Sequence, residues 1–398
     1  MASNAPVPVT ILGSTGSVGK SAIRVLESQR QQFSVFGLAA GTDSREMYLQ
    51  CRALRPQIAA MADSQAADDL RTQLDESGLG SSIEVRGGPD APTFLAQQSQ
   101  GIVVAAITGI AGLDSLQAAV QSAKRVLLAN KEALVVGGQI LLDMVHQANT
   151  ELIPLDSEHN AVMQCLGADF SLGKPHPRLK KVSLTASGGP FRQLSLAEME
   201  QVSPEDALRH PVWDMGAKIS VDSATLLNKG LELIEASILF GLEPEQLDVL
   251  VHPESAIHAL IHFSDGSSLA HLAHPDMQIP IAHALAWPDR LALELPALDL
   301  AHLGLLNFEY PDLIRFPCLK LAMDVLKEGG SKPVVLNAAN EVAVAAFLAK
   351  RLKFVEIAQL VSWALFAIEA GSCSSLHELA ALDERVRSLC NERLRKMG

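Results

Sequence analysis

Along the first 150 residues, short apolar runs alternate with stretches whose apolar residues recur at helical spacing. The runs are VTIL (9–12), FSVFGLAA (33–40), QIAAMA (57–62), GIVVAAI (101–107), RVLLA (125–129) and, just beyond, ELIPL (151–155). Runs this continuous suit parallel strands buried on both faces, with the intervening helices covering them. In such a doubly wound sheet, ligands bind at the carboxyl ends of the strands. The pattern then changes. KKVSLTASGGPF (180–191) and LDVLVHPES (247–255) read as further strands. AIHALIHFSDGSSLAHLA (256–273) alternates apolar and polar positions around Asp265-Gly266, which predicts a hairpin. A Pro- and Leu-rich stretch at 288–312 lacks periodicity and reads as a linker. From about 316 onward, three or four amphipathic helices follow without strand signal, for instance 335–350 and 376–396.

Bulk properties narrow the class. A chain of 398 residues with 48% apolar composition supports two or three domains with substantial cores. The formal net charge of −13 argues against nucleic-acid binding as the main task. The 5 cysteines are scattered and form no CxxC, which favours a reduced, cytoplasmic setting. The N-terminus has neither the charge pattern nor the apolar core of a signal or transit peptide. No apolar run reaches the ~18 residues of a membrane helix.

TILGSTGSVGKSAIRVL places Gly13, Gly16 and Gly19 at three-residue spacing, directly after a strand and opening a helix. Such glycines permit a tight turn and close approach of backbone N–H groups to a pyrophosphate. The N-terminal domain (1–150) is therefore expected to be Rossmann-like. Gly19-Lys20-Ser21 imitates the end of a Walker A loop, but Ser14 stands where that motif needs a glycine. At the end of the second strand, Asp43 could accept from a 2′-hydroxyl, favouring NAD, while Arg45 could meet a 2′-phosphate, favouring NADP. Solvated loop charges explain both equally.

PLDSEHNAV (154–162) puts Asp156 and Glu158 at spacing i, i+2. In an extended segment both carboxylates point to one side, and a hard divalent cation would relieve their repulsion. A solvated pair at a strand end is the alternative. ISVDSATLLNKGLELIEA (219–236) predicts a helix starting near Ser223 or Ala224, with Asp222 or Ser223 at its cap. On it Lys229 and Glu232 are i, i+3 partners and Asn228 and Glu232 are i, i+4 partners, so an ordinary surface pair competes with a metal ligand. LLANKEALV (127–135) ends a strand with Asn130, Lys131 and Glu132 over the ligand crevice. TASGGPF offers Ser187 and the N–H groups of Gly188 and Gly189 as a phosphate nest. RHPVWDMGAK (209–218) combines His210, Trp213 and Gly216 in a loop that could close over substrate. His252 and His258 flank a strand end and fit structural roles as well as functional ones. Another Rossmann dehydrogenase without metal, or a non-catalytic dinucleotide sensor, would account for residues 9–150 but not for the three acids.

Taken together, TILGSTGSVG, LLANKEALV, PLDSEHNAV, TASGGPFR, RHPVWDMGAKISVDSATLLNKGLELIEA, HPESAIHALI and LNAANEVAVAAFL resemble the 1-deoxy-D-xylulose 5-phosphate reductoisomerase family, in its order, from residue 9 to about 350. The resemblance implies an α/β protein. Its parts would be an NADPH-binding domain (1–150), a central catalytic and dimerisation domain with a smaller sheet (151–287), the linker (288–312) and a C-terminal helical bundle (313–398). It implies a homodimer using NADPH and Mg²⁺ or Mn²⁺ on a sugar phosphate. Carried over by motif, Thr15, Gly16, Ser17, Val18, Gly41, Thr42, Asp43, Asn130, Glu132 and Gly216 would serve the cofactor. Asp156, Glu158 and Glu232 would bind the metal. Lys131, Ser157, Glu158, Ser187, His210, Ser223, Asn228, Lys229 and Glu232 would contact substrate, with Lys131, Glu158 and His210 catalytic. Thr42 and Asp43 depart from the basic or amide pair that many members carry, which bears on the 2′-phosphate.

Overall fold

The computed structural model describes residues 5–210, 212–213 and 215–397. The chain forms two compact units. One comprises residues 1–133, 143–160 and 276–295, the other 134–142, 161–275 and 296–398.

The first unit is built on seven strands: β1 (Val7–Leu12), β2 (Phe33–Ala40), β3 (Ile58–Met61), β4 (Glu84–Gly87), β5 (Ile102–Ala105), β6 (Arg125–Leu128) and β7 (Glu151–Pro154). Their order is 4-3-2-1-5-6-7 and every pairing is parallel. The strand order reverses between β1 and β5, the switch point where such sheets bind ligands. Val9 to Leu12, all of β3 and all of β5 are buried, as their uninterrupted apolar sequences require. β4 carries no such signal. Its sequence EVRG is polar because it is an edge strand with three exposed positions.

A late segment completes this unit. The helix Gln278–Ala286 packs against the helix Ser17–Ser28. Arg125, on β6, donates to the carbonyls of Leu285 at 3.0 Å and Trp287 at 2.7 Å, and pairs with Glu151 of β7 at 2.6 Å. One guanidinium thus joins two strands to a segment some 160 residues later, using the fixed fork of donors that lysine lacks.

The second unit holds a mixed sheet in the order β11-β10-β8-β9, from β8 (Leu179–Ala186), β9 (Leu247–Val251), β10 (Ile257–Phe263) and β11 (Ser268–Leu272). β8 runs parallel to β9, while β10 is antiparallel to β8 and β11. The β10–β11 hairpin turns at Asp265-Gly266, with Gly266 at φ +88°. Four helices follow: Pro317–Glu328, Lys332–Leu348, Phe354–Ala367 and Leu376–Met397. Lys332–Leu348 is apolar on nearly every face and central among them.

The stretch predicted as a linker is partly tied down. Val251 and Glu309 exchange backbone hydrogen bonds of 2.8 and 2.9 Å, closing the outer edge of β9. His252 is fully buried, its Nδ1 lies 2.8 Å from the Asn307 carbonyl, and its ring stacks on Phe308 at 4.6 Å. A single-residue bridge needs no alternating run, so periodicity could not reveal it.

Candidate active site

In the first unit, the glycine loop closes over the switch point. Gly13 lies at φ +89°, and a Cβ there would stand 2.5 Å from the Ala106 carbonyl oxygen at the end of β5. A Cβ on Gly19 would fall 2.3 Å from the Gly13 carbonyl oxygen. The helix Ser17–Ser28 begins after Gly16 with no side-chain cap, which leaves its first N–H groups for a ligand. Gln50 donates to the Ser14 carbonyl at 3.0 Å and to Glu46 at 3.2 Å, holding this loop to the segment after β2. There Gly41 faces open space. Asp43 is exposed, but its side chain is engaged: Oδ1 accepts from Glu46 N at 3.0 Å and caps the helix Ser44–Leu54.

At the end of β6, Asn130 caps the helix Lys131–Ala148, accepting from Ala133 N at 3.0 Å and donating to the Gly109 carbonyl at 2.9 Å. Lys131 and Glu132, both buried, open that helix. The Lys131 ammonium pairs with the Asp156 carboxylate from the end of β7. Asp156 and Glu158 do not share an extended segment: the chain turns, as it must if Ser157 is to contact substrate between two ligands. β7 stops at Pro154, the chain turns at Asp156, and Ser157 opens the helix Ser157–Leu166. Asn160, buried, braces the turn by donating to the Pro154 carbonyl at 3.0 Å. Ser157 Oγ lies 2.5 Å from Glu158 Oε2.

In the second unit, β8 is followed by Ser187-Gly188-Gly189, with both glycines at positive φ, +86° and +69°. Gly189 N donates to Ser187 Oγ at 3.2 Å, and Ser187 Oγ lies 2.9 Å from His210 Nε2. His210 Nδ1 accepts from the N–H groups of Trp213 at 2.9 Å and Val212 at 3.2 Å. Since Nδ1 accepts, the neutral ring carries its proton on Nε2 and donates to the serine. Burial lowers the His210 pKa to about 4, which keeps it in that form.

The predicted helix start near Ser223 is corrected. One helix, Ala217–Ala224, ends there and a second, Leu227–Phe240, begins. Between them Leu226 adopts φ +59°, left-handed geometry that no glycine or proline in the sequence announces. Leu226 is buried, and its apolar packing offsets the backbone cost. Asp222 is accordingly inside the first helix and not at a cap. Gly189 packs on its end: a Cβ would stand 2.7 Å from the Ser223 carbonyl oxygen. Ser187 and Ser223 therefore belong to one neighbourhood. Asn228 and Lys229 occupy the first turn of the second helix, and both bond the buried Glu232. Gly216 is the N-cap of the first helix, and Trp213 lies 6.2 Å from His258, ring to ring. Sequence reasoning assigned no role to Asn340, whose side chain meets Asp222 across 118 residues of chain. Only its place in the LNAANEVAVAAFL motif could have drawn attention to it.

A parallel doubly wound sheet with a glycine loop at its switch point, and polar groups gathered at adjoining strand ends, defines a dinucleotide-dependent α/β oxidoreductase. Comparison with known proteins specifies it. Family models described as 1-deoxy-D-xylulose 5-phosphate reductoisomerase, and as the C-terminal domains of that enzyme, match residues 9–138, 152–240 and 272–389. The 1-deoxy-D-xylulose 5-phosphate reductoisomerase of Laribacter hongkongensis is 48% identical over 95% of this chain and 97% of its own. The Zymomonas mobilis enzyme, solved in complex with NADPH, superposes with TM-score 0.88 at 41% identity over 99% of both chains. A further reductoisomerase, solved with NADPH, fosmidomycin and magnesium, gives 0.92 at 36% identity, over 98% of this chain and 99% of that one. The chain belongs to the 1-deoxy-D-xylulose 5-phosphate reductoisomerase family.

Proposed function

We propose that the chain rearranges and reduces 1-deoxy-D-xylulose 5-phosphate to 2-C-methyl-D-erythritol 4-phosphate, using NADPH and a divalent metal. The observation that carries the reading is Lys131 paired with Asp156 at the carboxyl ends of β6 and β7, two residues before Glu158.

Asp156, Glu158 and Glu232 would hold Mg²⁺ or Mn²⁺. The donor set fits, since all three are carboxylates and hard ions take oxygen ligands. Asp156 and Glu232 each already accept a lysine ammonium, from Lys131 and Lys229. The bound metal supplies Lewis-acid polarisation of the substrate oxygens, and NADPH supplies the hydride.

The chain's own residues bind and orient. Ser187, Ser223, Asn228 and Lys229 hold the phosphate. Asn228 and Lys229 sit in the first turn of Leu227–Phe240, where the helix dipole favours an anion. His210, neutral, donates from Nε2 to Ser187 and so orients that hydroxyl toward substrate. Ser157 and Glu158 fix the substrate hydroxyls, and Lys131 lends positive charge beside the reacting carbons. Thr15, Gly16, Ser17 and Val18 take the cofactor pyrophosphate. Gly41, Thr42 and Asp43, with Asn130, Glu132 and Gly216, complete the cofactor contacts.

No described helix is long and apolar enough to cross a membrane. A cytoplasmic homodimer accompanies the reading. Sedimentation velocity tests the dimer. The activity is tested by NADPH oxidation at 340 nm with 1-deoxy-D-xylulose 5-phosphate and Mg²⁺. Consumption that needs both substrate and metal is expected, and turnover that persists in EDTA would overturn it.

A further inference from the structure

Asp222 directly precedes the proposed phosphate ligand Ser223, and its side chain is buried. It is 1% exposed, its Oδ1 accepts from Asn340 Nδ2 at 2.7 Å, and its Oδ2 lies 2.9 Å from Lys218 Nζ. Asn340 is fully buried in the middle of Lys332–Leu348, the central helix of the C-terminal bundle. Because an ionised carboxylate only accepts, the Asn340 amide is fixed with its NH₂ toward Asp222. The Asp222 backbone carbonyl in turn accepts from Thr225 Oγ1 at 3.1 Å, and Thr225 Oγ1 accepts from Leu227 N at 3.3 Å. One residue therefore grips the bundle through its side chain and the joint between the two site helices through its carbonyl. The joint holds Leu226 in left-handed geometry and sets where Ser223, Asn228 and Lys229 stand. Burial raises the Cys318 thiol to about 12, and the nearby Asp222 carboxylate adds to the rise.

A buried carboxylate is tolerated only while its partners stay in place. If Asn340 loses its amide, Asp222 loses its hydrogen bond to the bundle, while its pairing with Lys218 lies within its own helix. The end of Ala217–Ala224 would then settle differently, and Ser223 with it. The geometry points to Asn340 and Asp222 as a positioning pair that sets Ser223 for the substrate phosphate, so that the C-terminal bundle tunes substrate affinity without touching substrate. This rests on the proposed role of Ser223.

The test is a double-mutant cycle of Asn340→Leu with Ser223→Ala, read as separate KM and kcat values. Asn340→Leu is expected to raise the substrate KM roughly tenfold, as loss of one buried charge-assisted hydrogen bond would, while kcat and the KM for NADPH stay within about twofold. In the Ser223→Ala background the same change should add less than about twofold. Asn340→Asp should be worse, and the exchanged pair Asp222→Asn with Asn340→Asp should recover substrate KM by restoring an amide–carboxylate bond of opposite direction. That exchange keeps the proposal testable if Asn340→Leu does not fold. Equal effects in both backgrounds, a fall in kcat without a rise in KM, or no recovery by exchange would overturn it. A raised KM in Ser223→Ala with none in Asn340→Leu overturns this inference alone. An unchanged KM in Ser223→Ala removes the phosphate role of Ser223 and this inference with it.

Discussion

His210 Nε2 stands 2.9 Å from Ser187 Oγ while His210 Nδ1 receives the Trp213 N–H at 2.9 Å, so one imidazole ties the glycine-rich turn after β8 to the loop that carries Trp213. This requires the neutral ring, since a proton on Nδ1 would displace the backbone donors. The folded pKa is depressed to about 4, against about 6.5 unfolded. Below about 6.5 the unfolded chain takes up the proton first, so stability falls as pH drops from there toward about 4. Above about 6.5 the contribution is constant. His210→Gln should flatten the slope of Tm against pH within that window. An unchanged slope would contradict the assignment.

Glu158→Gln keeps shape and removes charge. If Glu158 ligates the metal, kcat/KM should fall roughly a thousandfold, a loss of several kcal/mol in transition-state stabilisation. NADPH affinity, measured by fluorescence without substrate, should stay the same. Recovery at high Mg²⁺ would fit a weakened ligand, and wild-type rates at ordinary Mg²⁺ would rule the ligand out.

Gly13→Ala tests the switch point. The new Cβ would meet the Ala106 carbonyl at 2.5 Å from a backbone at φ +89°. Two costs combine there, and destabilisation of about 2 kcal/mol or more is expected, with loss of NADPH binding. Gly41→Ala, where a Cβ meets nothing within 4 Å, should leave Tm nearly unchanged. Thermal melts with and without NADPH read both.

Asp43 should not turn the enzyme toward NADH. Its carboxylate is engaged at the N-terminus of Ser44–Leu54, which lessens its repulsion of a 2′-phosphate, and Thr42 or Arg45 is available to meet that group. Asp43→Ser keeps a cap and removes the charge, so kcat/KM for NADPH should rise a few fold, an effect screened by salt. A wild-type preference for NADH in parallel assays would refute this.

Local signals carried much of this architecture. The continuous apolar strands, the glycine loop and the Asp265-Gly266 hairpin are each written in adjacent residues, and each stands where expected. Tertiary choices were not legible. Leu226 takes left-handed geometry because packing at one helix joint outweighs its own preference. β4 is a strand because β3 offers it an edge, and Glu309 is a bridge because β9 does. Lys131 and Asp156 were each placed at a strand end by the sequence, but their pairing follows from the adjacency of β6 and β7, which periodicity does not encode.

The late return of Gln278–Ala286 to the sheet has a consequence for biosynthesis. The parallel sheet has all seven strands once residue 154 is made, but the helix that covers Ser17–Ser28, and the carbonyls that satisfy Arg125, arrive only with residues 278–287. At ordinary elongation speeds that gap lasts on the order of ten seconds. Through that interval the nascent chain carries a nearly finished nucleotide-binding sheet with one apolar helix face bare. Contact with ribosome-associated chaperones should be greatest in that window, and a fragment ending after β7 would carry the same bare face permanently.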